Sequence, residues 1–151
     1  MKRRVILMRG LPGCGKSEYI KKRFGSPPSA ALAGGWLVDG GHVVVCSMDH
    51  FFIQPNGYYA FDRFQLGQAA SFCHTQVLRC LKLGIETIIV DNTHSRNWEM
   101  ELTRALADHF GYATEVVNLF DGGCTDEQLV ARNTHGVPLE VIQGMRSRWE
   151  Y

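Results

Sequence analysis

No stretch of this 151-residue chain approaches the ~18 consecutive apolar residues of a membrane-spanning helix, so no segment reads as a membrane span. Charge of one sign is also missing. Sixteen Lys and Arg against 15 Asp and Glu leave a formal net charge of +1, which excludes a protein that grips duplex nucleic acid by charge alone. Any nucleic-acid acceptor is expected to be a single-stranded end held by a local patch. The five cysteines form no C-x-x-C pair, and the six histidines show no H-E-x-x-H or other metal spacing. These gaps exclude a zinc site and a disulfide framework and fit a reducing compartment. Internal repeats and low-complexity tracts are lacking too. Met1-Lys2-Arg3-Arg4 runs directly into a strand too short to be a signal-peptide core, so the protein is expected to be intracellular, cytoplasmic or nuclear. Hydrophobic residues at 45% and charged residues at 21% fit one soluble domain with an ordinary core, residues 1–151.

What is present is Gly10-Leu11-Pro12-Gly13-Cys14-Gly15-Lys16-Ser17, which fits G-x-x-x-x-G-K-[ST] at every fixed position. The apolar run Arg4–Arg9 before it reads as a buried strand, and Glu18–Phe24 after it reads as a helix. Strand, glycine-rich turn and helix N-terminus make a phosphate cradle. Leu11, Pro12, Gly13, Cys14, Gly15 and Glu18 are expected around a nucleoside triphosphate. Lys16 is expected to reach its β- and γ-phosphates, and the Ser17 hydroxyl to serve Mg²⁺. Cys14 reads as a small loop filler beside the phosphates, where alkylation would obstruct the site.

Strand and helix patterns alternate beyond this point, predicting an α/β layer fold with a mostly parallel sheet. Residues 25–41 carry Pro27-Pro28, Gly34-Gly35 and Gly40-Gly41 and read as a loop insertion or loose hairpin. His42–Ser47, Thr87–Val90 and Ala113–Phe120 read as strands. Helices are expected over 62–83, 96–110, 125–133 and 138–149. The first of these carries a buried stripe of Leu66, Ala69, Ala70, Cys73, Val77 and Leu81, with Gly84 as C-cap. Thr125 or Asp126 is expected to cap the 125–133 helix in front of Gln128.

Ligands of open parallel sheets bind at the carboxyl ends of the strands. Asp49 follows the second strand, with Phe51-Phe52 placed to shield it from water. A carboxylate there can take the proton of an attacking hydroxyl, so Asp49 is the candidate general base. Asp91 closes the third strand in a Walker-B-like setting, either binding Mg²⁺ through water or holding the acceptor, with Asn92 and Thr93 adding hydrogen bonds. Arg132 ends a helix before the His135-Gly136-Val137-Pro138 hinge, where a cation can stabilise migrating phosphoryl charge from a C-terminal helical lid. Arg146 and Arg148 are weaker lid candidates. Phe52, Tyr58 and Tyr59 either stack a base or close a core edge. Trp36, Trp98 and Trp149 read as packing residues.

The order of Gly10–Ser17, Ser47-Met48-Asp49-His50-Phe51-Phe52, Val90-Asp91-Asn92-Thr93, Trp98-Glu99-Met100 and Ala131–Pro138 resembles the polynucleotide 5′-hydroxyl-kinase-like P-loop kinases. The pattern is most similar to the kinase-like domain of HECT-ligase-binding proteins and more distantly to the bacteriophage enzyme. The resemblance implies a P-loop NTPase fold, ATP and Mg²⁺ as cofactors, and a phosphotransferase acting on the 5′-hydroxyl of a polynucleotide or nucleotide. It also implies Lys16, Asp49, Asp91 and Arg132 as catalytic residues. A small metabolite as acceptor, or a nucleotide-dependent binding module or slow ATPase without acceptor chemistry, are the other readings. The phage pattern places a phosphate-binding Arg three residues after the base, where this chain has Phe52. No D-x-D-G-T phosphatase motif is present.

Overall fold

The structure is a computed structural model; it describes residues 2–25, the backbone of 36–38, and residues 41–151. Five strands form one sheet. They are β1 (Arg4–Gly10), β2 (Trp36–Val38), β3 (Gly41–Cys46), β4 (Thr87–Asp91) and β5 (Ala113–Phe120), in the order β2-β3-β4-β1-β5. β3, β4, β1 and β5 are parallel. β2 is antiparallel to β3, with Trp36 opposite Val43. The expected four-strand parallel sheet is therefore present, and β2 adds an edge strand inside the 25–41 segment. The remainder of that predicted insertion, 26–35 and 39–40, lies outside the described residues.

Parallel strands covered on both faces read as continuous apolar runs, and β1 shows this directly. Its alternate side chains enter opposite layers, as the two-residue strand period requires. Val5 and Leu7 join Val44, Ile88 and Val90 under α2 (Leu66–Leu83) and α3 (Glu101–His109), where Cys73, Val77, Leu81 and Ala107 point inward. Ile6 and Met8 join Val43 and Ile89 under α1 (Lys16–Phe24), against Ile20 and Phe24.

A third cluster fixes the carboxyl end of the sheet. Leu11 and Cys14 of the phosphate loop pack with Leu129 of α4 (Asp126–Arg132), Ile142 of α5 (Leu139–Ser147), Cys124 and Trp149. Leu11, Leu129 and Ile142 are fully buried, and burial of such a side chain contributes about 1.5–3 kcal/mol. The two C-terminal helices are thereby seated on the loop. α4 begins in a capping box in which Thr125 Oγ1 accepts from Gln128 N and Gln128 Oε1 accepts from Thr125 N.

Several helix limits differ from expectation in instructive ways. Asp62 caps a short 3-10 turn at Arg63–Gln65 before α2 starts, and Leu66, placed on the buried stripe, is 42% exposed. The 96–110 helix opens with a 3-10 turn at Asn97–Met100. Gly84 does cap α2 in the left-handed conformation, with φ 72°.

Candidate active site

The phosphate loop joins the end of β1 to the N-terminus of α1. Gly13 and Gly15 have φ of 84° and 107°, which glycine alone adopts without strain. Two contacts hold the loop against neighbouring strand ends: Gly10 N donates to Thr93 O (3.1 Å) and Leu11 N to Phe120 O (2.8 Å). A methyl on Gly13 would lie 2.5 Å from Leu129 O, so this glycine also lets α4 approach. Lys16 Nζ folds back over the strand end and donates to Gly10 O (2.6 Å) and Leu11 O (3.5 Å). The Leu11 and Cys14 side chains are buried in the core beneath, leaving backbone toward a ligand. Pro12 is half-buried, while Ser17 and Glu18 are exposed on the first turn of α1.

Asp49 sits in a 3-10 turn, Met48–Phe52, one step beyond β3. Ser47 caps that turn by accepting from Asp49 N (3.1 Å), and Asn92 Oδ1 accepts from Met48 N (2.9 Å). The end of β4 thus fixes the turn that carries Asp49, and the Asn92 side chain is consumed in doing so. Thr93 contributes its carbonyl to Gly10. Phe52 is 4% exposed and packs on Phe51, Tyr59 and Phe61, with ring centroids 5.1–6.1 Å apart. It closes a core edge and presents no face to a base. Phe51 and Phe52 do not cover Asp49, whose side chain is 47% exposed.

Asp91 ends β4. Its Oδ1 is buried without a hydrogen-bond partner. Burial raises its carboxyl above the ordinary range, the Lys16 ammonium opposes this, and the Asp49 carboxylate adds to it. Lys16 and Asp49 thus both act on the Asp91 carboxyl, in opposite senses. His50 is pushed down by burial, against the two aspartates.

Arg132 ends α4. A Cβ on Gly15 would lie 4.0 Å from its Nη2, and its Nη1 approaches Cys124 Sγ at 3.2 Å. An exposed cation therefore stands over the phosphate loop. Arg146 is different. Its guanidinium binds Asp126 (2.7 Å), Asp121 (2.8 Å) and Cys124 O (3.1 Å), so it braces α5 against the start of α4. Arg148 donates to Ser95 Oγ (3.3 Å), also away from the loop. Trp149 packs as expected, on Arg9 with 4.6 Å from guanidinium to ring and on Phe120. Trp98 is 65% exposed, so most of its side chain faces solvent. The Trp36 side chain lies outside the described residues.

Two site residues were not singled out as partners of Asp49 from sequence. Tyr59 Oη donates to Asp49 Oδ1 at 2.9 Å. His135 Nε2 lies 3.6 Å from Asp49 Oδ2 and stacks on the Tyr59 ring, centroids 4.1 Å apart at 33°. In the sequence Tyr59 reads only as one of several aromatics that either stack a base or close a core edge, and His135 only as part of a hinge. No local spacing links positions 49, 59 and 135.

A model of the AAA domain family AAA_33 matches residues 5–151. The chain belongs to this family. As an AAA_33 domain it is a P-loop kinase-like domain, in line with the resemblance read from its motifs. NEDD4-binding protein 2 of Homo sapiens is 31% identical over 151 residues, covering 97% of this chain but 8% of that far longer protein. Two solved structures share the fold of the AAA_33 domain. One is a chain of the Pnkp1/Rnl/Hen1 RNA repair complex (TM-score 0.64, 16% identity, 97% of this chain and 44% of that one). The other belongs to the AvrRxo1-ORF1:AvrRxo1-ORF2 complex with sulphate ions (TM-score 0.60, 16% identity, 95% and 46%). The P-loop fold, with its parallel sheet flanked by helices, is thereby established. Among the described residues no helix is long and apolar enough to cross a membrane.

Proposed function

We propose that this domain transfers the γ-phosphoryl group of ATP, as its Mg²⁺ complex, to a hydroxyl, in particular the 5′-hydroxyl of a polynucleotide or nucleotide. The observation that carries the reading is that neighbouring strand ends bring Asp49 and Asp91 beside the loop bearing Lys16: Met48 N donates to Asn92 Oδ1 and Gly10 N to Thr93 O. A module that only binds nucleotide has no need of a second carboxylate there. When bound, ATP with Mg²⁺ supplies the electrophilic phosphoryl group and partial neutralisation of its charge.

The residues fit that pair. The positive-φ glycines leave room for phosphates at the helix N-terminus, and the unpartnered buried Asp91 Oδ1 is an atom that a hydrated divalent cation or an acceptor hydroxyl would satisfy. Lys16 exchanges its carbonyl partners for phosphate oxygens, with Leu11–Ser17 and Glu18 lining the cradle and Ser17 on the metal side. Arg132, above Gly15, stabilises the charge of the migrating group. Asp49 accepts the hydroxyl proton as the oxygen attacks. Tyr58, Phe61 and Phe64 are 73%, 55% and 83% exposed just beyond Asp49, with Arg63 over the Phe64 ring. Such aromatic faces can stack bases of a single strand.

One observation favours a second acceptor class. Phe52, buried in the aromatic cluster, offers no charge for an acceptor phosphate, which suits a small uncharged hydroxyl compound. Labelled ATP offered with 5′-hydroxyl oligonucleotides, nucleosides and sugars separates the two. Label on the oligonucleotide supports the first reading. Label only on a small acceptor replaces it with the second, and nucleotide binding without transfer to any acceptor leaves a binding module. Localisation inside the cell, cytoplasmic or nuclear, is part of the same proposal.

A further inference from the structure

The Tyr59 hydroxyl stands where an acceptor hydroxyl would stand. It is an O–H donating to Asp49 Oδ1 at 2.9 Å, the same donor–acceptor pair that a general base makes with the group it activates. The other oxygen, Oδ2, faces His135 Nε2 at 3.6 Å. Almost half of the Asp49 side chain is open to solvent, so burial does not keep water off this carboxylate, and among the described residues the Tyr59 hydroxyl is the one side-chain donor hydrogen-bonded to it. The ring is also held. Tyr59 is clasped between His135, at 4.1 Å, and buried Phe52, at 6.1 Å. Ile53 and Tyr59 form an isolated β-bridge, and Gln54 N donates to Tyr58 O at 2.8 Å, closing the loop that delivers the hydroxyl.

An active kinase base faces a competitor. Water also carries an O–H and, as the solvent, outnumbers any acceptor. If water donates to Asp49, its proton passes to the carboxylate and its oxygen bonds the γ-phosphorus. The bond from that phosphorus to the β–γ bridging oxygen then breaks, and the products are ADP and inorganic phosphate. A phenol donating to the same oxygen blocks that sequence at its first step and yields only to an acceptor that binds well enough to displace it. We propose that Tyr59 is the specificity-determining residue that reserves Asp49 for a bound acceptor and keeps water from it. This inference rests on the proposed phosphotransferase reading. Burial and the Asp49 carboxylate both raise the Tyr59 phenol above its ordinary range, so it remains protonated as a donor at neutral pH.

Tyr59→Phe removes the hydroxyl and keeps the ring between His135 and Phe52. The test compares ADP release from ATP with Mg²⁺ and no acceptor in wild type, Tyr59→Phe, Asp49→Asn and the double variant, with nucleotide affinity measured separately by equilibrium titration. Expected is a rise of about tenfold or more in Tyr59→Phe, since a freed general base is worth about 10²–10⁴ in rate. That rise disappears in the double variant, and nucleotide affinity stays within about twofold of wild type. A purely structural role for Tyr59 does not give a rise that depends on Asp49. Unchanged or reduced release in a Tyr59→Phe protein that binds nucleotide overturns the inference while leaving the kinase reading intact. A rise that persists with Asp49→Asn also overturns it, because the water is then activated elsewhere. Failure of the wild-type protein to bind nucleotide removes the proposed function and this inference with it.

Discussion

Asn133 and Val137 are joined across the hinge between α4 and α5 by reciprocal hydrogen bonds. Asn133 Oδ1 accepts from Val137 N at 2.9 Å, and its Nδ2 lies 3.3 Å from Val137 O while also reaching Leu129 O and Val130 O. One amide side chain therefore terminates α4 and shapes the turn that carries His135 toward Asp49. Arg132, its neighbour, is delivered over Gly15 by the same helix end. Replacing Asn133 by Ala leaves several half-buried backbone groups without partners. Unfolding in urea should show a loss of about 1–3 kcal/mol, and the variant should lose phosphoryl transfer even where it remains folded.

The nucleotide half-site and the base half-site should separate by mutation. Lys16→Ala removes the ammonium now bound to Gly10 O and should abolish nucleotide binding and transfer. Asp49→Asn keeps the shape and an acceptor for Tyr59, so titration should give near wild-type nucleotide affinity while turnover falls by about 10²–10⁴. Transfer at the wild-type rate in Asp49→Asn would falsify the base assignment.

Gly13 tests the seating of α4 on the loop. Its φ of 84° and the 2.5 Å approach of a Cβ to Leu129 O both oppose a side chain. Gly13→Ala is expected to weaken nucleotide binding and lower Tm together, because the same substitution strains the loop and lifts the helix carrying Arg132. Gly67, which meets nothing within 4 Å, should accept Ala with little change in either quantity, and the pair of variants measured side by side isolates the packing effect.

These expectations also show what was legible in the chain. The phosphate loop was, because its backbone demands glycine at fixed positions and its charge demands Lys and Ser. The strand ends were, because continuous apolar runs stop at Asp49 and Asp91. Arg132 reads as a lid cation from its place at a helix end before the hinge, and its place on the ATP phosphates comes only through the family resemblance. Tyr59 and His135 were not placed on Asp49, because they meet it through the folded-back hinge and a β-bridged loop, and neither has a local period. Trp98 misled in the other direction: its bulk suggested packing, but it falls on the outer side of a 3-10 turn. Phe52 was ambiguous because burial depends on Phe61, which lies outside the same local element.

The five cysteines are free and buried. Burial raises the Cys14 thiol, with Lys16 acting in the opposite sense. The thiolate is the reactive form, so Cys14 should resist alkylation in the native protein despite its place in the phosphate loop. Brief treatment with N-ethylmaleimide at pH 7 followed by mass spectrometry should find little label on it, and full label after denaturation. Rapid native labelling at Cys14 would mean that α4 and α5 lift from the loop.

His94 sets an acid limit on stability. It is 4% exposed at φ 48°, its Nδ1 donates to Met8 O at 2.6 Å, and its carbonyl accepts from buried Arg9. Burial pushes its imidazole down to about 4, with Arg9 and Lys16 adding to the fall and the Met8 contact opposing it. The neutral ring is thus the folded form, whereas the unfolded chain takes up a proton near its ordinary value of about 6.5. Protonation of the unfolded state alone makes stability fall as pH drops from about 6.5 toward 4, by about 3 kcal/mol across that window. Above pH 6.5 the contribution is complete and constant. His94→Asn, which tolerates the left-handed backbone, removes this titration. Urea unfolding of both proteins at pH 7.5, 6, 5 and 4.5 should show the wild type losing its advantage progressively below 6.5. A difference between the two proteins that stays constant with pH would assign the acid sensitivity to the carboxylates instead.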